Sequence, residues 1–282
     1  MKHKLYIIIF IAIFSFAFYG IYQIENGLNN NPIIDKIKKN KEKYQQKSIN
    51  AKIIGNNILS GKNGKDINLK ETYKKMKQYG SYNETLTTIK EITPKISIDN
   101  NYDKYLIGGN QIDKKVSLVF TIKENRDFTN ILKILDNKKI SGTFFIDGTF
   151  LEKNASIIRN EKHHEFELLS YKNSYEEEFF KTSLSYLSSI SNNKTKYCYT
   201  EVEKEFLLNL CKKLKLHTIK PTIIIKKNLY KEIKESLNNG LIISLENNYY
   251  IEKDLPLTID YIQEKGYQLV TLNKLISEEN KE

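Results

Sequence analysis

The 282-residue chain has no tryptophan, two cysteines, four prolines and only two arginines, Arg126 and Arg159. Two thiols cannot build a disulfide-rich scaffold, and without a C-x-x-C motif they are the wrong inventory for a cysteine zinc site. Glycine is scarce as well. Gly55, Gly61 and Gly64 are not followed by Gly-Lys-Ser/Thr, so no phosphate-binding loop is present. No internal repeat is visible. Basic residues are spread along the chain rather than clustered, which argues against a nucleic-acid partner.

Lysine supplies almost all of the formal net charge of +11. That excess favours anionic lipid headgroups or anionic wall polymers as neighbours. The joint abundance of Lys, Asn, Ile and Tyr also fits an AT-rich genome, which accounts for much of the excess without any ligand. With 40% hydrophobic and 28% charged residues there is ample material for one barrel-sized core.

The longest uncharged apolar run is Leu5–Ile24, preceded by Lys2, His3 and Lys4. About 20 such residues in a helix cross the hydrocarbon core. Residues 1–24 are therefore expected to be a transmembrane signal anchor, with the cytoplasmic side at the amino terminus and the bulk of the chain extracytoplasmic. Ser15-Phe16-Ala17 offers small residues for signal peptidase, but cleavage there would leave a very short leader. No cysteine stands at a lipoprotein position.

Residues 25–50 are polar and Lys-rich, with Ile33, Ile34, Ile37 and Tyr44 as a thin apolar stripe, and read as a juxtamembrane linker or solvated helix. Residues 51–113 read as a small accessory subdomain. Ile53-Ile54 and Ile58-Leu59 with a Gly61–Gly64 turn predict a hairpin, Leu69–Tyr79 predicts a helix, and Thr85–Ile92 a second helix before Pro94.

Lys114–Gly148 then gives strand, helix, strand. Val116–Ile122 is a β-branched apolar run, Phe128, Ile131, Leu132, Ile134 and Leu135 recur at helical spacing, and Thr143–Ile146 is a second apolar strand ended by Asp147-Gly148. This is a right-handed crossover unit. Here the sequence resembles the polysaccharide deacetylase family, or NodB-homology domain, whose first strand reads close to KKVALTFDDGP and second close to ATFFVIG. Further similarity lies in Glu161–Phe166, Phe206–Leu214, Gly240–Glu246 and Leu255–Leu275. The resemblance covers residues 114–277, leaving 278–282 as a polar tail, and implies an α/β fold, an irregular (β/α) barrel.

The family removes acetyl groups from N-acetylated sugars with a divalent metal such as zinc, held by one carboxylate and two imidazoles, and a second carboxylate acts on the metal-bound water. By the resemblance, the base aspartate falls on Thr121 and the metal ligands on Ile122, Leu169 and Asn173. The orienting arginine falls on Tyr197 and the closing histidine on Glu246. None matches, so no metal cofactor is expected and a non-catalytic role is favoured. A relocated site remains the alternative, drawn from Glu124, Asp127, Asp147, His163, His164, Glu165, Glu167 and Glu246. Asp147 leads it, since it ends a strand where barrel enzymes place their chemistry. His163 and His164 are adjacent and on a strand would point to opposite faces.

Tyr171, Tyr197, Tyr199, Tyr249 and Tyr250 fall near positions bordering the family's substrate groove, where they either stack on sugar rings or fill volume vacated by the metal site. Cys198 is placed at a strand end and Cys211 well along the next helix. A separation of about 10 Å or more would exceed the ~7 Å Cα limit, so two free buried thiols are expected. The sequence reads as a membrane-anchored, extracytoplasmic deacetylase-like protein binding a cell-wall glycan, or scaffolding wall synthesis, with a relocated N-deacetylase site as the competing possibility.

Overall fold

The computed structural model describes residues 31–123, 128–191 and 193–280. The anchor expected at Leu5–Ile24, and Glu124 and Asp127 of the relocated-site set, lie outside the described residues. Among the described residues no helix is long and apolar enough to cross a membrane.

The strands in chain order are β1 Lys52–Ile54, β2 Asn57–Leu59, β3 Gly64–Ile67, β4 Ile89–Ile92, β5 Tyr105–Gly108 and β6 Lys115–Ile122. There follow β7 Thr143–Asp147, β8 Glu165–Ser170, β9 Tyr197–Tyr199, β10 His217–Ile219, β11 Ile223–Ile225, β12 Ile242–Glu246 and β13 Gln268–Leu269. By contacts the chain divides into two units, Met1–Ser48 with Gly64–Ile92, and Ile49–Asn63 with Thr93–Glu282. Residues 51–63 and 93–113 of the expected accessory region thus group with the 114–277 segment.

In the smaller unit, β3 and β4 pair antiparallel beside helices Pro32–Lys39 and Leu69–Tyr79. Asn31 caps the first helix by accepting the Ile33 N–H, Asn68 caps the second by accepting the Glu71 N–H, and Gly80 ends the second in a left-handed conformation. The apolar stripe of residues 25–50 is not solvated: Ile37 packs with Ile67 and Met76, and Ile33 and Tyr44 lie against them. The helix expected over Thr85–Ile92 is instead a short 3-10 turn, Glu84–Leu86, followed by β4. Its β-branched end, Ile89 and Ile92, takes up a ladder with β3 that local spacing does not reveal.

In the larger unit, β1 and β2 form the expected hairpin, but the turn is Gly55-Asn56 rather than Gly61–Gly64. Gly55 supplies a positive φ of 60°. The strands of this unit fall in two sheets, ordered β1-β2-β5-β10-β9, parallel beyond the β1–β2 hairpin, and β11-β12-β6-β7-β8, with β13 also on β6. All pairings in the second sheet are parallel, and helices Phe128–Asn137, Gly148–Asn160, Glu177–Ile190 and Tyr249–Glu264 connect or follow its strands. Alternation along β6 sorts its residues. Val116, Leu118, Phe120 and Ile122 pack under the helices, whereas Val119 joins Leu106, Phe145, Leu169, Tyr199, Ile219 and Ile242 in a second, inner cluster. The sheets approach at Gly108 and Gly240, where a Cβ on Gly108 would lie 2.8 Å from the Gly240 carbonyl oxygen.

The two cysteines are not free. Cys198 and Cys211 form a disulfide with a Cα–Cα separation of 6.3 Å. The helix Glu205–Lys213 packs on β10, the strand beside β9, and brings Leu207 and Cys211 into one cluster with Cys198, so distance along the helix axis overstates the gap.

Candidate functional site

Parallel strands collect their carboxyl ends at one side of the sheet, and this is where the resemblance places most of the family's chemistry. Glu246 lies beside Thr121, Phe145 beside Thr121, and Asp147 beside Ser170. The strand order therefore brings Thr121, Asp147, Glu246 and the Tyr171–Asn173 segment to one rim. It does not assemble a ligand set. Ile122 is fully buried in the cluster under the helices, Leu169 is buried in the inner cluster, and Asn173 is exposed on a left-handed turn with φ of 59°. Ile122 and Leu169 offer no lone pair, and the Asn173 amide is a weak partner for a dication. These residues do not fit the metal the family would use.

Tyr197 is not at the rim. It opens β9 at the amino-terminal end, where its hydroxyl donates to Asn273 at 3.0 Å and Glu165 and Glu167 lie near. Tyr199 is the β9 residue that crosses the interior: its hydroxyl and that of Ser244 are 2.6 Å apart. Burial raises the Tyr199 phenol above its ordinary value, so it is an uncharged hydroxyl. Tyr175 donates to the Tyr199 carbonyl at 3.3 Å. Glu246 is exposed and pairs with Lys226 at 3.4 Å, an ion pair of little energetic weight.

Asp147 has its oxygens fully engaged. Oδ1 accepts the Thr149 N–H at 3.0 Å and the Thr149 hydroxyl at 2.6 Å, and Oδ2 accepts the Ser170 hydroxyl at 2.7 Å. The N–H groups of Lys172 and Asn173 approach at 3.4 Å. Burial pushes the carboxyl upward, but the hydrogen bonds from Thr149 and Ser170 outweigh it and hold it below the ordinary range. Asp147 is the cap of helix Gly148–Asn160 and the anchor of the Tyr171–Ser174 turn, which leaves no free lone pair aimed at a substrate.

Other members of the relocated-site set sit elsewhere. Among the described residues one grouping could offer three metal ligands, Asp136, Glu161 and His164. The Gly142 N–H donates to His164 Nδ1 at 3.2 Å, so the neutral ring carries its hydrogen on Nε2, the atom facing Asp136 at 3.4 Å. Burial lowers the His164 pKa and keeps the ring neutral. In that tautomer Nε2 holds a hydrogen and offers a cation no lone pair.

Glu165 and Glu167, on the inner face of β8, are structural in a way that sequence alone does not show. Glu165 accepts the Thr143 hydroxyl and the Asn273 N–H. Glu167 accepts the N–H groups of Lys196 at 2.9 Å and Tyr197 at 3.2 Å, across the line where β8 and β9 share no backbone ladder. Asn193 completes the seam by accepting the Phe166 N–H and donating to its carbonyl, both at 3.0 Å. A charged residue inside the apolar run Glu165–Ser170 was the available signal.

The rim carries aromatic surface. Tyr171 stacks on Phe179 with centroids 5.5 Å apart, and Tyr249 and Tyr250 follow β12 as an exposed pair with centroids 6.0 Å apart.

No protein-family profile matches the chain. It is 20% identical over 272 residues to the uncharacterized protein YlxY of Bacillus subtilis, covering 89% of this chain and 85% of that one. Wild-type BA3943 of Bacillus anthracis, described as a CE4 family pseudoenzyme, superposes with a TM-score of 0.64 at 19% identity, over 89% of this chain and 97% of its own. A BA3943 mutant described as having restored enzymatic activity gives 0.65 at 17%, over 89% and 100%. PdaA of Bacillus subtilis, a family 4 carbohydrate esterase, gives 0.54 at 19%, over 62% and 86%. The fold is that of the CE4 polysaccharide deacetylases, the NodB-homology fold.

Proposed function

We propose that this protein is a catalytically silent member of that fold, an irregular (β/α) barrel held at the cell membrane by Leu5–Ile24 with its larger unit outside, and that it binds a cell-wall glycan at the rim where its relatives carry their chemistry. The observation carrying the loss of catalysis is the placement of Ile122 and Leu169 in two separate apolar clusters, with Asn173 exposed on a turn. No single substitution reunites such a set. The engaged oxygens of Asp147 weigh against a relocated hydrolytic site. Glycan binding is supported by Tyr171–Phe179 and Tyr249–Tyr250, since aromatic faces stack on sugar rings. The test is a thermal-shift and calorimetric titration with chitooligosaccharides and peptidoglycan fragments, with acetate release followed in parallel. Binding without acetate, weakened several-fold by Phe179→Ala, is expected. Acetate above a heat-killed control contradicts the silent reading. Absence of any glycan effect, with membrane proteins co-purifying, favours a scaffold.

A further inference from the structure

Cys198 and Cys211 are the only cysteines of the chain, and both are fully buried within the cluster under the helices, with Leu207, Phe180 and Leu187 among its members. Their bond joins the middle of β9 to the last turn of helix Glu205–Lys213. β9 needs that anchor: it is three residues long, its one ladder partner is β10, and its other edge meets β8 through the side chains of Glu167 and Asn193. Tyr197 and Tyr199, on either side of Cys198, point into the inner cluster, so the bond fixes from behind the strand that presents Tyr199 to Ser244.

We infer that this bond is installed before the larger unit packs, by thiol–disulfide exchange with a disulfide-bearing oxidant on the outer side of the membrane, so that the chain is a substrate of an extracytoplasmic thiol-oxidising system. Exchange requires in-line approach of a thiolate to a sulfur, and neither sulfur is reachable once the core has closed. In the reaction one cysteine thiolate attacks the oxidant's disulfide, forms a mixed disulfide and expels one oxidant thiolate. The second cysteine thiolate then attacks the mixed disulfide, closes Cys198–Cys211 and releases the other oxidant thiolate. The two thiol protons end on the reduced oxidant, which gains the two electrons that the chain loses. A reducing cytosol would leave the pair as thiols and let them be sealed in that state. The inference rests on the proposed export of the larger unit and not on glycan binding at the rim.

Two measurements test it. Intact cells producing the full chain are quenched in acid and labelled with a polyethylene-glycol maleimide before and after reduction. No label before reduction and two after are expected, whereas two labels before reduction overturn the inference. Full chain purified in detergent is then reduced, unfolded and refolded with oxidised glutathione present from the start, or added only after refolding. Closure at least about tenfold slower in the second case is expected, and equal rates overturn the order of events. Cells washed into medium free of low-molecular-mass disulfides separate the sources: continued bond formation assigns the oxidant to a protein, and its loss assigns it to a small molecule.

Discussion

The Glu167 carboxylate accepts the Tyr197 N–H at 3.2 Å and so joins two strands that have no backbone ladder between them. One side chain stands in for the hydrogen bonds a neighbouring strand would supply. Because Glu167 is fully buried, losing its acceptor oxygens leaves the N–H groups of Lys196 and Tyr197 without partners. Both N–H groups share one carboxyl oxygen, an acceptor that Glu167→Gln can keep, whereas Glu167→Ala removes it and is expected to destabilise the fold by about 2–4 kcal/mol, read from the urea midpoint. A change below about 0.5 kcal/mol would show that the seam is held by packing instead.

The same residue makes stability pH-dependent. Burial pushes the Glu167 carboxyl well above its ordinary value of 4.5, and burial also raises Glu165. A carboxyl raised on folding binds its proton more tightly in the native state. The native state then holds more protons than the unfolded chain between the ordinary and the raised pKa, and stability falls as pH rises through that window. Denaturation midpoints are expected to decline from pH 4.5 upward through this range in the wild type, and less steeply in Glu167→Gln. An identical slope in both would assign the effect elsewhere.

Asp147 has the opposite sign. Its pKa is held below the ordinary 3.8, so its contribution is present above that value and is lost as pH falls through the lowered one. Asp147→Ala removes the helix cap and the Ser170 bond, and a loss of about 2–3 kcal/mol is expected by denaturation. A stable Asp147→Ala protein that lost an acetate-releasing activity would restore the relocated-site reading.

The disulfide closes a loop of sequence separation 13. The chain-entropy relation gives about 3 kcal/mol for a loop of that size, so Cys198→Ala with Cys211→Ala is expected to lower stability by at least roughly that amount, since the two buried sulfurs also leave a cavity. Reduction of the unfolded wild type should give the chain-entropy part of that deficit on refolding without oxidant. A double variant as stable as wild type would mean the bond adds nothing.

The crossover Lys115–Asp147 was legible because its apolar runs have the two periods that strands and helices impose, and the family frame followed from it. Helix Leu69–Tyr79 was legible for the same reason and has the expected bounds. The segment Thr85–Ile92 was not, because its strand exists only through pairing with Gly64–Ile67, some 25 residues upstream. The pairing of Cys198 with Cys211 failed as an expectation because axial distance along a helix ignores the angle at which that helix returns over the sheet. At the site, the substitutions at Thr121, Ile122, Leu169 and Asn173 were visible as residue types. That Ile122 faces the helices while Thr121 sits on the opposite face of β6 depends on the pleat and on what packs against each face. Glu167 looked like a candidate acid in sequence. Its role depends on a neighbour about 30 residues away, which spacing cannot show.

The central claim is that this fold has lost its metal chemistry, and elemental analysis of the purified full chain tests it most directly. After incubation with zinc, cobalt or nickel and removal of loosely held ions, the protein is expected to retain far less than one transition metal per chain. Parallel preparations carrying Thr121→Asp, Ile122→Asp, Leu169→His and Asn173→His together serve as the comparison for regained binding. About one tightly held metal per unmodified chain would contradict the account.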